Sequence, residues 1–185
     1  MKILIYLSFI FLFSEISLAL AKRSKQKSVK KKSDRGSMVI LWVMITIGIT
    51  AGFYLGNHRV WVFSNYVIAS FGMFLFFLGI VIRWAAIIQL KKAFTVDVAI
   101  NKEHELKTDG LYKLVRHPSY FGLILIMTGL SVGMNSLFSF LVLTLPVFFA
   151  LVYRIYVEEA VLMEEFGVKY KDYCKTTKKI IPYLY

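Results

Sequence analysis

The chain has 185 residues, of which 58% are hydrophobic and 18% charged, which is too apolar for an ordinary soluble domain. Sixteen Phe and eleven Tyr are more than one soluble core of this size would bury, so lipid is their expected surrounding. The net charge of +12 does not point to nucleic acid, because the basic residues fall between apolar runs, where they meet anionic headgroups and set topology.

The expected fold is an all-α integral membrane protein, one domain over residues 1–185 with about five transmembrane helices. A span needs about 20 mostly apolar residues. Ile3 to Ala21 is the first. It also has the marks of a cleaved signal peptide, with Lys2 leading and Ala19-Leu20-Ala21 resembling a cleavage site. The residues that follow favour a retained helix with its N-terminus outside. Lys22, Arg23, Lys25, Lys27, Lys30, Lys31, Lys32 and Arg35 stand against Asp34 alone, and so basic a cluster beside a span stays in the cytoplasm. Residues 1–37 then form a first helix plus a basic cytoplasmic loop.

Met38 to Gly56 is the second apolar run, closed by Asn57-His58-Arg59, and Tyr66 to Leu90 is the third. The third is long, so its last turns are expected at the interface, with Arg83, Gln89, Lys91 and Lys92 meeting headgroups or water. Lys91 to Ser119, carrying Lys102, Lys107, Lys113 and Arg116, is expected in the cytoplasm. Tyr120 to Met134 and Leu137 to about Tyr156 form the last two spans. Only Asn135-Ser136 separates them, which predicts a tight antiparallel hairpin, and Pro146 is a point where its second arm can bend. After Val157, an amphipathic stretch places Leu162, Phe166, Tyr170 and Tyr173 on one face, predicting a C-terminal interfacial helix. Lys91–Ser119 and Arg154–Tyr185 thus face one side and can share a site, making residues 91–185 the candidate catalytic region.

Two constellations carry chemistry. Arg116-His117-Pro118-Ser119-Tyr120 precedes the fourth span, and Pro118 suits the first turn of a helix, whose open amides can hold a polar or anionic ligand. The alternative is an interfacial anchor, Arg on headgroups and Tyr in the aromatic belt. Arg154 and Glu158 lie one helical turn apart near the membrane, where ionisable groups are costly unless paired or used, and Glu159 adds a second carboxylate. A structural ion pair is the alternative there. Glu164 and Glu165 read as solvated surface, His58 as exterior, and the lone Cys174 as an unremarkable member of the last helix that excludes an intrachain disulfide. No metal site is expected: His104, between two carboxylates, has no partners at ligand spacing. The sequence has no Gly-rich phosphate loop, GxSxG or dinucleotide fingerprint.

Together these segments resemble the isoprenylcysteine carboxyl methyltransferase family and the related phospholipid methyltransferases. The resemblance rests on His104-x-Leu106-x-Thr108-x-Gly110-x-Tyr112 and on Arg116-His117-Pro118-Ser119-Tyr120-x-Gly122. After the hairpin come Arg154, Glu158-Glu159, Leu162, Phe166-Gly167-x-x-Tyr170-x-x-Tyr173 and Ile181-Pro182, so that it covers Phe94 to Pro182. It implies S-adenosyl-L-methionine as cofactor, held by cytoplasmic segments. His104, Glu105, Leu106, Lys107, Tyr112, His117, Pro118, Ser119 and Tyr120 match cofactor-contacting positions. Glu105 and Lys107 depart from the family's usual types, which implies backbone contacts there, and Ala99 stands near where a polar residue is common. Arg154 and Glu158 match the pair at the acceptor and reaction centre.

The expected activity is therefore methylation of the carboxylate of an isoprenylated cysteine or similar lipophilic acid that enters from the bilayer. Methyl transfer from a sulfonium is a direct displacement governed by alignment. A carboxylate acceptor needs an orienting cation more than a base, a role Arg154 fills, with Glu158 holding the guanidinium in place. The alternatives are a phosphatidylethanolamine N-methyltransferase, a sterol-reductase-like oxidoreductase, and a membrane scaffold without turnover.

Overall fold

The computed structural model describes residues 2–21, 31–58, 60–63, 65–90 and 106–181. Most of the basic loop, together with His104, Glu105 and Pro182, lies outside the described residues. Among the described residues six α-helices follow one another: α1 (Lys2–Ala21), α2 (Lys31–Asn57), α3 (Tyr66–Leu90), α4 (Pro118–Gly133), α5 (Leu137–Phe166) and α6 (Val168–Thr176). A 3-10 turn, Gly110–Lys113, precedes α4.

Among the described residues, three helical stretches are long and apolar enough to cross a membrane: Gly36–Asn57, Tyr66–Leu90 and Leu137–Phe166. The expected count of five spans is not confirmed: among the described residues Ile3–Ser17 and Pro118–Gly133 are shorter apolar helices. With 16 residues, α4 extends about 24 Å, less than the ~30 Å hydrocarbon core. Two boundaries also move. The basic segment is partly helical, because α2 begins at Lys31. The last span does not end near Tyr156: α5 runs unbroken through Pro146 to Phe166, so that its final turns outreach the bilayer core. Gly167, with φ 52°, then breaks the expected amphipathic helix into the end of α5 and the separate α6. Tyr170 and Tyr173 are buried all the same.

The helices pack as two close pairs, α3 on α4 and α2 on α5; contact between α4 and α5 joins the pairs, and α1 lies against α4. Lipid tails are as apolar as leucine, so packing between membrane helices depends on how closely their backbones approach. Here that approach is set by Gly72 and Gly79 on α3 and Gly122 and Gly129 on α4, each pair seven residues apart. A Cβ on Gly79 would lie 2.6 Å from the Gly122 carbonyl oxygen, and one on Gly122 would lie 2.7 Å from the Arg83 nitrogen. One on Gly129 would meet the Phe76 nitrogen and, at 2.6 Å, the Gly72 carbonyl oxygen. Seven-residue spacing keeps the small positions on one seam, as in a left-handed helix pair. Phe76, Leu123, Ile126, Met127 and Leu130 fill the core beside it.

The expected hairpin is present. Asn135 takes the left-handed conformation (φ 55°), and the Ser136 hydroxyl caps α5 by accepting the Ser139 N–H at 3.3 Å. The α2–α3 connection is tied to this turn: Phe63 N–H donates to Asn135 O at 2.9 Å, and Ser136 Oγ to Val60 O at 2.8 Å. That end of the bundle is closed by backbone. The opposite end collects the polar side chains.

The seam makes a direct prediction. Gly129→Ala should cost about 1–3 kcal/mol, because the methyl meets backbone that cannot rotate away. Gly36→Ala, whose Cβ has nothing within 4 Å, should be neutral or stabilising by up to ~1 kcal/mol. Thermal unfolding of both variants in one detergent checks this, and equal shifts would contradict the packing described.

Candidate active site

The C-terminal parts of α1, α3 and α5 meet the first turns of α2 and α4 at one end of the bundle, as their hydrogen bonds show. Pro118 takes the first turn of α4, as its fixed φ favours. That start is held from outside by a short parallel bridge between Val115 and Lys178. Arg116 N–H donates to Lys178 O at 2.8 Å, and His117 N–H to Lys179 O at 2.9 Å, so the chain after α6 folds back onto the motif.

Glu159 is the hub of this fold-back. Its Oε1 accepts from Arg116 Nε at 2.8 Å and from His117 Nε2 at 3.2 Å, and Lys179 Nζ lies 3.7 Å from Oε2. A carboxylate can only accept, so the His117 proton sits on Nε2. Through one terminal nitrogen Arg116 also donates to the carbonyls of Thr177 and Cys174. Burial acts to lower the Arg116 pKa, but the bonded Glu159 carboxylate more than offsets this and holds it above its ordinary value.

Tyr120, one turn into α4, is the centre of the second group. Its ring stacks on His117, with centroids 5.5 Å apart and planes 13° from parallel. Its hydroxyl accepts from Arg154 Nε at 2.9 Å and donates to Glu158 Oε2 at 2.6 Å. The link expected between Arg154 and Glu158 runs through this hydroxyl, which α4 inserts between the two side chains. A second hydroxyl, Ser37 of α2, accepts from Arg154 at 3.0 Å, and both residues are buried. Arg154 therefore draws hydrogen bonds from α2 and α4 while standing on α5.

The remaining candidates divide. Ser119 is buried, and its carbonyl oxygen accepts from Arg83 at 3.1 Å. Tyr112 is buried, and its hydroxyl is used within the fold, donating to Ala86 O at 3.3 Å. The Tyr112 carbonyl accepts from Tyr173, whose own pKa burial pushes up to about 12, keeping that hydroxyl a donor. Lys107 pairs with Asp109 at 2.7 Å, and Leu106 is half-buried beside it. Arg83 does not meet headgroups or water as expected. It is buried against Glu15 of α1. Gln89 instead accepts the Leu111 N–H at 2.8 Å, anchoring the 3-10 turn to α3. Glu164 and Glu165 are exposed, and so is His58, which lies at the opposite end against Tyr54. Sequence reasoning missed Ser37, whose only signal is a hydroxyl beside an apolar run. It also missed Glu15, a carboxylate inside a span, which is a signal it could have used.

Fold and site together define a helical integral membrane protein with an ionic cluster at one end. Residues 71–164 match the isoprenylcysteine carboxyl methyltransferase (ICMT) family, and the chain belongs to that family. It is 34% identical over 123 residues to protein-S-isoprenylcysteine O-methyltransferase A of Arabidopsis thaliana, covering 65% of this chain and 62% of that protein. It is 36% identical over 123 residues to the Schizosaccharomyces pombe protein-S-isoprenylcysteine O-methyltransferase, covering 65% of this chain and 51% of that one. The chain thus spans between half and two thirds of the length of these two relatives. The fold is similar to that of the eukaryotic intramembrane Ras methyltransferase ICMT, with TM-score 0.69 and 27% identity, over 75% of this chain and 52% of that one.

If Glu159 pins the C-terminal segment to the motif, Glu159→Gln should speed amide exchange at residues 177–181 by roughly tenfold or more, the loss expected from charge-assisted hydrogen bonds. Glu165→Gln, at an exposed position, should leave the exchange alone. Hydrogen-exchange mass spectrometry distinguishes the two, and unchanged exchange in Glu159→Gln would refute the hub.

Proposed function

We propose that this protein is an S-adenosyl-L-methionine-dependent methyltransferase that esterifies the carboxylate of an isoprenylated cysteine or a similar lipophilic acid. The observation that carries the reading is the chain Arg154–Tyr120–Glu158 at the start of α4, in a member of this family. The two relatives and the solved structure described above are named as isoprenylcysteine methyltransferases.

The residues present suit the donor. The parallel His117 and Tyr120 rings offer a flat face for a purine, and the Glu158 carboxylate offers negative charge for a sulfonium. Pro118, Ser119, the stretch from His104 to Lys107 and Tyr112 are the further proposed contacts. When bound, the cofactor supplies an electrophilic methyl group. The chain's own part is alignment. Arg154 would orient the acceptor carboxylate through its planar fork, itself steadied by Ser37 and Tyr120. Apolar helix faces around it keep water out, which strengthens that electrostatic hold. No base is required, because the acceptor is already ionised at neutral pH. The isoprenoid tail would lie among the apolar helices, entering sideways from the bilayer.

We place the site on the cytoplasmic side. In sequence, the basic residues from Lys22 to Arg35 follow α1 and those from Lys91 to Arg116 follow α3, the two helices that end at the site, whereas the α2–α3 connection carries Arg59 and the α4–α5 turn carries no Lys or Arg.

The test is methyl transfer by purified protein in detergent, offering a farnesylated cysteine analogue beside phosphatidylethanolamine. The farnesylated acid should be methylated. Arg154→Lys should reduce turnover by roughly a hundredfold, as expected for a misaligned reactant, while S-adenosylhomocysteine affinity is largely kept. Methylation of the amine alone, or near-normal turnover by Arg154→Lys, would overturn the acceptor assignment.

A further inference from the structure

Beside the Arg154 cluster, a second pair of charges is buried among the helices. Glu15 of α1 and Arg83 of α3 are 4% and 8% exposed. Arg83 presents Nε and one terminal nitrogen to the two carboxylate oxygens of Glu15, a bidentate fork. Its other terminal nitrogen donates to the Ser119 carbonyl oxygen at 3.1 Å. Stability alone is a poor reason for such a pair, since well-packed apolar residues often serve as well or better. Ionisable groups inside membrane helices more often mark a working part.

What the pair holds is specific. The Ser119 carbonyl belongs to the planar peptide whose other half is the Tyr120 nitrogen, so fixing one fixes the other. Tyr120 carries the hydroxyl between Arg154 and Glu158. The Arg83 guanidinium also lies at the N-terminal end of α4, where the helix dipole is positive and repels it. Glu15 supplies the opposing charge and turns the fork so that its third arm points at Ser119. Gly122, against the Arg83 backbone, lets the two helices come close enough for this reach.

We infer that Glu15 and Arg83 are positioning residues: α1 delivers a counterion that aims Arg83 at the first turn of α4, and this sets where Tyr120 stands. The inference rests on the methyltransferase reading for its effect on turnover, and on geometry alone for its effect on α4.

The experiment compares wild type, Arg83→Lys and the double variant Glu15→Leu/Arg83→Met as full-length protein in one detergent. Melting temperature, kcat, S-adenosylhomocysteine affinity and amide exchange over residues 118–122 are measured. The double variant removes both charges and should melt within a few degrees of wild type. Its kcat should nonetheless fall at least tenfold, and exchange at the start of α4 should rise at least tenfold. Arg83→Lys keeps a cation for Glu15 but not the fork, and should show the same two changes. A double variant with wild-type kcat and exchange would overturn the inference, leaving the pair structural. If the double variant does not fold, Arg83→Lys decides by the same two readings. A wild type that transfers no methyl group would sink the proposed function, and the exchange data would still decide this inference.

Discussion

Helices α3 and α4 touch backbone to backbone, and most of the polar end depends on that contact. With no Cβ at Gly79 or Gly122, the Arg83 backbone sits against the first turns of α4. From there the Arg83 side chain spans only the distance to Ser119 O on one side and Glu15 on the other. A larger residue in the seam would move α4 outward, and Tyr120 with it. Packing in the apolar middle of the bundle and hydrogen bonding at its end are therefore one constraint. Close approach supplies dispersion contacts between helices that gain nothing from leaving lipid.

At the polar end, charges that would each be costly alone are arranged in chains. Glu159 takes Arg116, His117 and Lys179; Tyr120 links Arg154 to Glu158; Glu15 takes Arg83. With Ser37 of α2 on Arg154, five helices and the C-terminal segment contribute, so none of these helices can shift without leaving a buried polar group poorly paired. Such a network suits the proposed reaction, whose rate depends on alignment. The site is thus built from interhelix contacts rather than from one loop.

Much of this was legible in the sequence because it depends on local rules. Pro118 at the start of α4, the turn at Asn135-Ser136, and the approach of the Arg116–Tyr120 motif to Arg154 and Glu158 follow from capping, loop length and sidedness. Helix ends were less legible. Gly167 broke a stretch whose apolar spacing looked continuous, and α2 began among lysines that read as loop. Least legible were partners across helices. Arg83 was placed at the interface because α3 is long, whereas its fate was decided by a carboxylate 68 residues away. Ser37 and the Tyr120 bridge depend on the register between α2, α4 and α5, which no single-helix pattern encodes.

The central claim is that Arg154, steadied by Tyr120 and Ser37, receives the acceptor's carboxylate. The most direct measurement is an experimental structure with S-adenosylhomocysteine and a farnesylated cysteine bound together. The account predicts Arg154 nitrogens within about 3 Å of the acceptor carboxylate oxygens, with the Tyr120 hydroxyl still on Glu158. An acceptor carboxylate lodged elsewhere, with Arg154 contacting no acceptor oxygen, would contradict it.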